Sequence, residues 1–213
     1  MTFPLATLVE AAQQAPIVPV LVVGSADQAA PLAKALLDGG LTIAEVTLRT
    51  PAGVATIKAM KAAAPELLVG AGTVLNGEDV RNSLDAGADF LVSPGMSPGL
   101  LDALGPARRL MIPGVATASE AMSRSEEGFD LLKLFPASIA GGIPALKALA
   151  GPLPHLNFMP TGGVSVDNAG DYLALPNVVA VGGSWIATKA DVDAGDWAGI
   201  AQKARAALSA VGK

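Results

Sequence analysis

The stretch DLLKLFPA (130–137) is a short apolar run with one lysine in its centre. Successive side chains of a β-strand point to opposite faces, and here both faces are apolar apart from Lys133. A strand that is apolar on both faces is typical of a parallel sheet covered by helices on either side. The stretch therefore predicts a buried strand of an α/β protein that carries an amine.

A lysine in such a strand has two explanations. The ordinary one is structural, because long side chains often reach water from an apolar setting or pair with an acid. The other is chemical: desolvation penalises the ammonium form of a lysine, so that the free amine becomes available as a nucleophile. Lys133 is thus either a structural charge or a Schiff-base lysine, and its own strand leaves both open.

The pattern of an apolar strand followed by a helix recurs along the whole chain. Eight strands are predicted, in the sequences IVPVLVV, TIAEVTLR, ELLVGAGT, ADFLVSPG, RLMIPGVA, FDLLKLFPA, HLNFMPTGG and NVVAVGGSW. This repetition predicts a (β/α)8 TIM barrel over residues 1–213 as a single domain, with an extra N-terminal helix from about Leu5 to Gln14. The alternative, an open doubly wound sheet, would carry a Gly-rich dinucleotide fingerprint after the first strand, which this sequence lacks.

Composition excludes several classes of protein. Of the 213 residues 51% are hydrophobic and 15% charged, and the net charge of -5 without a cluster of basic residues disfavours nucleic acid as a partner. There is no cysteine and only His155 as histidine, so we expect no metal site and no cofactor. No apolar run reaches the ~20 residues of a membrane span, and the N-terminus lacks the features of a secretory signal. We therefore expect a cytoplasmic protein that does not bind membranes.

Three polar residues alternate along the second predicted strand, AEVTLR (44–49). Glu45, Thr47 and Arg49 share one face, while the apolar residues between them suit the helix layer on the other. We therefore expect the three to point into the barrel. A Glu45–Arg49 ion pair that only fills the barrel is the structural alternative to a catalytic role.

Glycines and hydroxyls follow three other strands. The third strand ends in GAGT (70–73), where glycines permit close backbone approach and Thr73 can either bind a substrate oxygen or cap the next helix. The last two strands end in TGG (161–163) and GGS (182–184). Glycine pairs after the last two strands of a barrel occur where many barrels bind phosphate through backbone N–H groups and a helix N-terminus. Together these features predict a phosphate site.

These positions favour one class of reaction. A buried lysine, a carboxylate and an arginine beside a phosphate site suit Schiff-base chemistry on a phosphorylated 2-oxo acid. The scarcity of metal ligands argues against metal-dependent enolisation.

The motifs resemble those of the class I bacterial 2-keto-3-deoxy-6-phosphogluconate (KDPG) aldolases, of the KDPG/KHG aldolase family. The resemblance covers nearly the whole chain and rests on six motifs in order: EVTLR, GAGTV, SPG, KLFPA, PTGG and VGGSW. It implies cleavage of 2-dehydro-3-deoxy-6-phosphogluconate to pyruvate and glyceraldehyde 3-phosphate, in the Entner–Doudoroff pathway. It also implies a homotrimer, and activity on 4-hydroxy-2-oxoglutarate in some members.

The resemblance further implies a role for each matched residue. Lys133 would form the Schiff base and Glu45 would be the general acid/base. Arg49 and Thr73 would hold the carboxylate end of the pyruvyl group. Five residues would bind the phosphate-bearing end: Thr161, Gly162, Gly163, Gly183 and Ser184. Pro94 and Phe135 would form the pocket wall.

Three other functions are kept as alternatives. A sister group acts on the galactonate epimer of the substrate, and Arg49 and Thr161 favour the gluconate enzyme over it. A metal-independent sugar-phosphate isomerase or epimerase would keep the phosphate loops without needing Lys133. A barrel that only binds a phosphorylated ligand would use the inward charges as structural plugs. One departure from the family is Ser138, where many relatives carry an acidic residue.

Overall fold

The computed structural model describes residues 5–213, and side chains from residue 6 onward. Short strands alternate with helices along this part of the chain. The strands are β1 Ile17–Leu21, β2 Ile43–Thr47, β3 Leu68–Gly72, β4 Phe90–Val92, β5 Met111–Ile112, β6 Gly114–Val115, β7 Leu131–Leu134, β8 Asn157–Phe158 and β9 Val181–Gly183. The helices are α1 Leu5–Gln14, α2 Ala29–Asp38, α3 Gly53–Ala63, α4 Gly77–Asp85, α5 Pro98–Leu104, α6 Ala118–Glu126, α7 Gly142–Ala150, α8 Ala169–Leu173, α9 Lys189–Ala194 and α10 Trp197–Ala210. Two 3-10 helices span Ala26–Gln28 and Gly105–Leu110.

All strand pairs are parallel, which confirms the predicted α/β class. One sheet has the order β5-β4-β3-β2-β1-β9 and another the order β6-β7-β8. A bridge between Thr161 and Gly182 links the segment after β8 to β9. The sheet is curled, consistent with a TIM-type barrel.

Prolines shorten two of the predicted strands. The strand predicted in RLMIPGVA is divided by Pro113 into β5 and β6, because proline has no N–H to donate to the ladder. Its carbonyl still accepts a hydrogen bond from the Lys133 N–H at 2.9 Å. Pro160 similarly follows the short strand β8, although the Thr161 N–H beyond it still donates to Leu134 at 3.0 Å.

Helix α9 is absent from the sequence-based prediction. Its signal is a capping box, in which the Thr188 side chain accepts from the Asp191 N–H while the Asp191 carboxylate accepts from the Thr188 N–H. None of the helices described between residues 5 and 213 has the length and apolarity needed to cross a bilayer.

Apolar side chains form an inner and an outer layer. The larger cluster joins the strands to the surrounding helices, with residues such as Leu36 of α2 and Ile57 of α3. The smaller cluster takes residues from strand after strand and therefore fills the inside of the curled sheet: Val18, Ile43, Phe90, Val92, Ile112, Leu131, Met159 and Ala180, with Leu8 and Ala12 of α1. Lys133 and Glu45 follow Leu131 and Ile43 by two residues, so they continue the inner faces of their strands.

Candidate active site

Lys133 and Glu45 form an ion pair inside the curled sheet. The Lys133 Nζ lies 3.1 Å from Oε1 and 3.4 Å from Oε2 of Glu45, although the two residues are on β7 and β2. Their side chains are 6% and 1% exposed, so bulk water hardly solvates either charged group. An ion pair this deeply buried is costly to desolvate and is weak evidence for a purely stabilising role. It places a carboxylate within proton-transfer distance of the amine.

The predicted inward face of β2 is only partly correct. Glu45 pairs with Lys133 rather than with Arg49. The alternative interpretation, a Glu45–Arg49 ion pair that only fills the barrel, is therefore wrong. Thr47 is buried, but its hydroxyl donates to the Leu21 carbonyl at 2.8 Å and so joins β2 to β1. The strand ends at Thr47, and Arg49 lies exposed in the turn that follows it. Strand alternation therefore does not extend to Arg49, whose side chain is accessible to a ligand at the C-terminal end of β2.

Thr73 has an unusual backbone at the end of β3. Its φ of 63° is positive, a rare conformation for a β-branched residue. Such strain is found at sites where the surrounding structure imposes it. The expected alternative role as a helix cap is wrong, because Asn76 caps α4 by accepting from the N–H groups of Glu78 and Asp79. In the described part of the chain the half-buried Thr73 hydroxyl has no hydrogen-bond partner.

Two half-buried residues lie around the lysine. Phe135 is close enough for a cation–π contact, with its ring centroid 5.2 Å from the Lys133 Nζ. Pro94 follows β4, and its carbonyl oxygen would be 2.2 Å from a Cβ atom added to Gly114. Gly114 is in turn the strand partner of Lys133. The two predicted wall residues therefore lie close to the lysine in the fold.

The loops after the last three strands adjoin one another. The Ala137 N–H donates to the Thr161 carbonyl at 2.8 Å, and the Ser138 N–H donates to the Gly162 carbonyl at 3.0 Å. Gly162 and Gly163 have φ of 93° and 82°, which a glycine adopts without strain. Helix α8 starts only at Ala169 and is five residues long, so the N–H groups that directly follow Gly163 belong to a loop rather than to a helix.

The second glycine pair joins the same group of loops. The bridge between Thr161 and Gly182 places the buried Thr161 side chain against β9, where a Cβ on Gly182 would be 2.2 Å from the Thr161 Oγ1. Gly183 is buried beneath the Trp185 ring, and Ser184 is exposed. The fold thus brings the residues predicted to bind phosphate close together, beside the strand that carries Lys133.

In residues 5–213 no three His, Cys, Asp or Glu side chains are close enough together to hold a metal ion. A cavity of about 440 Å³ lies away from the lysine, at the opposite ends of the strands. It is lined by α1, by the starts of β4, β5 and β7, by the 3-10 helix Gly105–Leu110 and by the residues just after α6. The lining residues include Leu8, Phe90, Arg109, Met111, Phe129 and Leu131.

Comparisons with known proteins agree with these motifs. The family model described as KDPG and KHG aldolase matches residues 8–203. The chain is 46% identical over 196 residues to 2-dehydro-3-deoxy-phosphogluconate aldolase of Pseudoalteromonas atlantica, covering 92% of this chain and 91% of the relative. It is 45% identical over 193 residues to the KHG/KDPG aldolase of Escherichia coli K12, covering 91% of each.

One solved structure is similar over nearly its whole length. The KDPG aldolase of Legionella pneumophila superposes with a TM-score of 0.89 at 40% identity, covering 93% of this chain and 97% of that one. That crystal structure holds pyruvate captured at low pH as a covalent carbinolamine intermediate.

Proposed function

This chain belongs to the KDPG and KHG aldolase family, and we propose that it cleaves 2-dehydro-3-deoxy-6-phosphogluconate through a Schiff base on Lys133. The products are pyruvate and glyceraldehyde 3-phosphate, and 4-hydroxy-2-oxoglutarate is a second substrate within the same chemistry. The observation that carries the proposal is the 3.1 Å contact between the buried Lys133 Nζ and the Glu45 carboxylate. The carbinolamine in the Legionella relative supports an amine-dependent route, since such an adduct joins a carbonyl carbon to an amine.

The geometry suits the steps of a class I aldolase. The Lys133 ammonium first releases a proton to Glu45 or to a water, and the neutral amine adds to the C2 ketone. Return of one proton to the hydroxyl at C2 lets it leave as water, which gives an iminium that can accept an electron pair. As the C3–C4 bond breaks, its electrons move into the iminium, and Glu45 accepts the proton of the C4 hydroxyl directly or through a water. Glu45 then returns a proton to C3 of the enamine, and hydrolysis releases pyruvate and the amine.

The remaining residues hold the substrate by its two ends. Arg49, exposed at the end of β2, binds the carboxylate together with the unpaired hydroxyl of Thr73. Five residues bind the phosphate-bearing end: Thr161, Gly162, Gly163, Gly183 and Ser184. Phe135 and Pro94 form the wall around the reacting carbons. A ligand held at both ends presents its ketone to Lys133 in one orientation.

The fold and assembly form a further part of the proposal. We infer a closed (β/α)8 barrel in which β5 and β6 make one interrupted strand, residues 1–213 form one domain, and α1 is an added helix. Leu8 and Ala12 support this inference, because they pack into the inner apolar cluster. We propose a homotrimer located in the cytoplasm, where a charged sugar phosphate would be retained.

Reductive trapping tests the function. The enzyme is treated with borohydride in the presence of pyruvate, digested and analysed by mass spectrometry. A reduced pyruvyl adduct is expected on the peptide containing Lys133 and not on peptides with exposed lysines such as Lys34. Absence of the adduct, or cleavage of the substrate by an enzyme whose Lys133 stays unmodified, would contradict the proposal. An isomerase or a non-catalytic binding protein predicts no adduct.

A further inference from the structure

Strand β3 presents two glycines, Gly70 and Gly72, on one face of the sheet. A Cβ atom at Gly70 would lie 2.2 Å from the ring of Phe90, which belongs to the inner apolar cluster. A Cβ atom at Gly72 would lie 2.1 Å from Oε1 of Glu45. Each glycine therefore leaves space for one particular side chain, the first for an apolar ring and the second for the carboxylate of the ion pair.

The strand register shows why the second space matters. The Cα partner of Glu45 on β3 is Gly70, whereas Gly72 is paired with Thr47. The side chain of Glu45 nevertheless lies over Gly72, where Cγ and Cδ are 2.6 and 2.7 Å from the position of a Cβ atom. The side chain of Glu45 thus leans two residues along the sheet toward the C-terminal ends of the strands.

The direction of this lean brings the carboxylate to the amine. At the position it occupies, Oε1 reaches the Lys133 Nζ at 3.1 Å, and the side chain is 1% exposed. A methyl group on residue 72 overlaps three consecutive atoms of Glu45, so rotation of the terminal carboxylate alone cannot relieve the overlap. The whole side chain would have to move away from β3.

We propose that Gly72 is a positioning residue for catalysis, because its lack of a side chain sets the place of the Glu45 carboxylate beside Lys133. The inference rests on the proposed function, in which Glu45 moves protons and Lys133 forms the imine. It separates the two roles: a change at Gly72 impairs proton transfer and leaves the amine able to form an adduct.

The test uses Gly72→Ala and two measurements on pyruvate. The first is borohydride trapping, which needs only the Lys133 amine. The second is deuterium exchange into the methyl group in deuterated water: the C3–H bond of the imine breaks, its proton goes to Glu45, its electrons go to the iminium, and a deuteron returns to C3. We expect trapping to stay within about twofold of the parent enzyme and exchange to fall roughly 100-fold, as for a displaced general base.

Gly70→Ala is the matched control, since it adds the same methyl group on the same strand and face. It displaces the Phe90 ring and so lowers the melting temperature, but the ratio of exchange to trapping should remain that of the parent enzyme. A lowered ratio in Gly70→Ala as well would overturn the inference, because any disturbance of β3 would then produce it.

A double-mutant cycle covers the case in which Gly72→Ala folds poorly. Alanine at position 45 removes the three atoms that lie nearest to a Cβ at position 72. Glu45→Ala/Gly72→Ala should therefore exchange as slowly as Glu45→Ala and no slower. An additive further loss, or loss of trapping in Gly72→Ala, overturns the inference. If the parent enzyme itself does not trap pyruvate, the proposed function fails instead.

Discussion

The two ends of the curled sheet differ in what they bury. At the C-terminal ends of the strands lies an ion pair whose side chains are at most 6% exposed, surrounded by loops with glycine and hydroxyl groups. At the N-terminal ends lies a cavity of about 440 Å³ between apolar side chains and surface arginines. The ion pair described beside this cavity, Arg124–Glu127, is more exposed, at 13% and 23%. The presence of a cavity therefore does not locate the chemistry, whereas a desolvated charge pair does.

The two ends bury different groups because one end stabilises the fold and the other carries the reaction. Buried apolar contacts such as those of Leu131 and Ile112 stabilise the fold. Desolvating Lys133 and Glu45 costs several kcal/mol, which their mutual attraction has to offset. In barrels of this class the C-terminal face carries the reaction and the other face carries stability. Substitutions at the two ends should accordingly affect different measurements.

The largest effect on catalysis is expected from Lys133→Ala. Without the amine no imine can form, so turnover should be undetectable in an assay of pyruvate release. The Glu45 carboxylate would also lose its cation, and the free energy of unfolding should fall by about 3–5 kcal/mol. The apolar double variant Lys133→Met/Glu45→Leu should regain most of that stability without regaining activity. Residual turnover in Lys133→Ala would break the assignment of chemistry to this end.

A smaller loss of rate is expected from Glu45→Gln. The amide cannot accept the substrate proton, so kcat for cleavage should fall roughly 10²- to 10⁴-fold. Borohydride trapping of pyruvate on Lys133 should persist, because the amine is retained. Cleavage rates and adduct yields measured on the same preparation check this. Unchanged cleavage would show that another group carries the proton.

Leu131→Ala tests the other end from the same strand. Leu131 lies two residues before Lys133 on β7, is 5% exposed and lines the cavity. Removing its buried carbons should lower the free energy of unfolding in denaturant by about 2–5 kcal/mol. Adduct formation at saturating pyruvate should match that of the parent enzyme. A loss of adduct without a loss of stability would contradict the division between the two ends.

The smallest effect is expected at the ion pair between α9 and α10, formed by Asp191 and Lys203. A hydrogen bond from Lys203 at 2.7 Å holds the pKa of Asp191 below its ordinary value, with a further contribution from Thr188. Because the folded pKa is lowered, this stabilisation is present above the unfolded pKa of about 4 and is lost as the pH falls through the folded value.

The measurement at Asp191 compares the parent chain with Asp191→Asn across the acid range. The variant should be less stable by at most about 1 kcal/mol at pH 6, since the pair is partly exposed. The difference should shrink below pH 4, and kcat at neutral pH should not change. A stability difference that stays constant with pH would show that the capping hydrogen bonds, rather than the charge, produce it.

Particular residues show how far the sequence could predict this molecule. The eight apolar strands and the motif order indicate the fold class, because burial on both sides leaves a local signature. Alternation places Glu45 on an inner face, but its contact with Lys133 joins residues 88 positions apart and depends on the curl of the sheet. Alternation also places Arg49 inside the barrel, whereas its side chain is exposed in the turn after β2. The alternation gives no sign that β2 ends at Thr47. Helix α9 could have been predicted from the capping box of Thr188 and Asp191.

The positive φ of Thr73 has a consequence for laboratory evolution. Backbone strain of this kind costs about 1–3 kcal/mol, and glycine or asparagine would accept the same conformation more readily. A selection for heat resistance alone should therefore enrich Thr73→Gly and Thr73→Asn among its survivors. If the Thr73 hydroxyl holds the substrate carboxylate as proposed, these survivors will be thermally robust but poorly saturated by substrate. Laboratory evolution of this enzyme would then have to select for turnover and heat resistance together to retain Thr73.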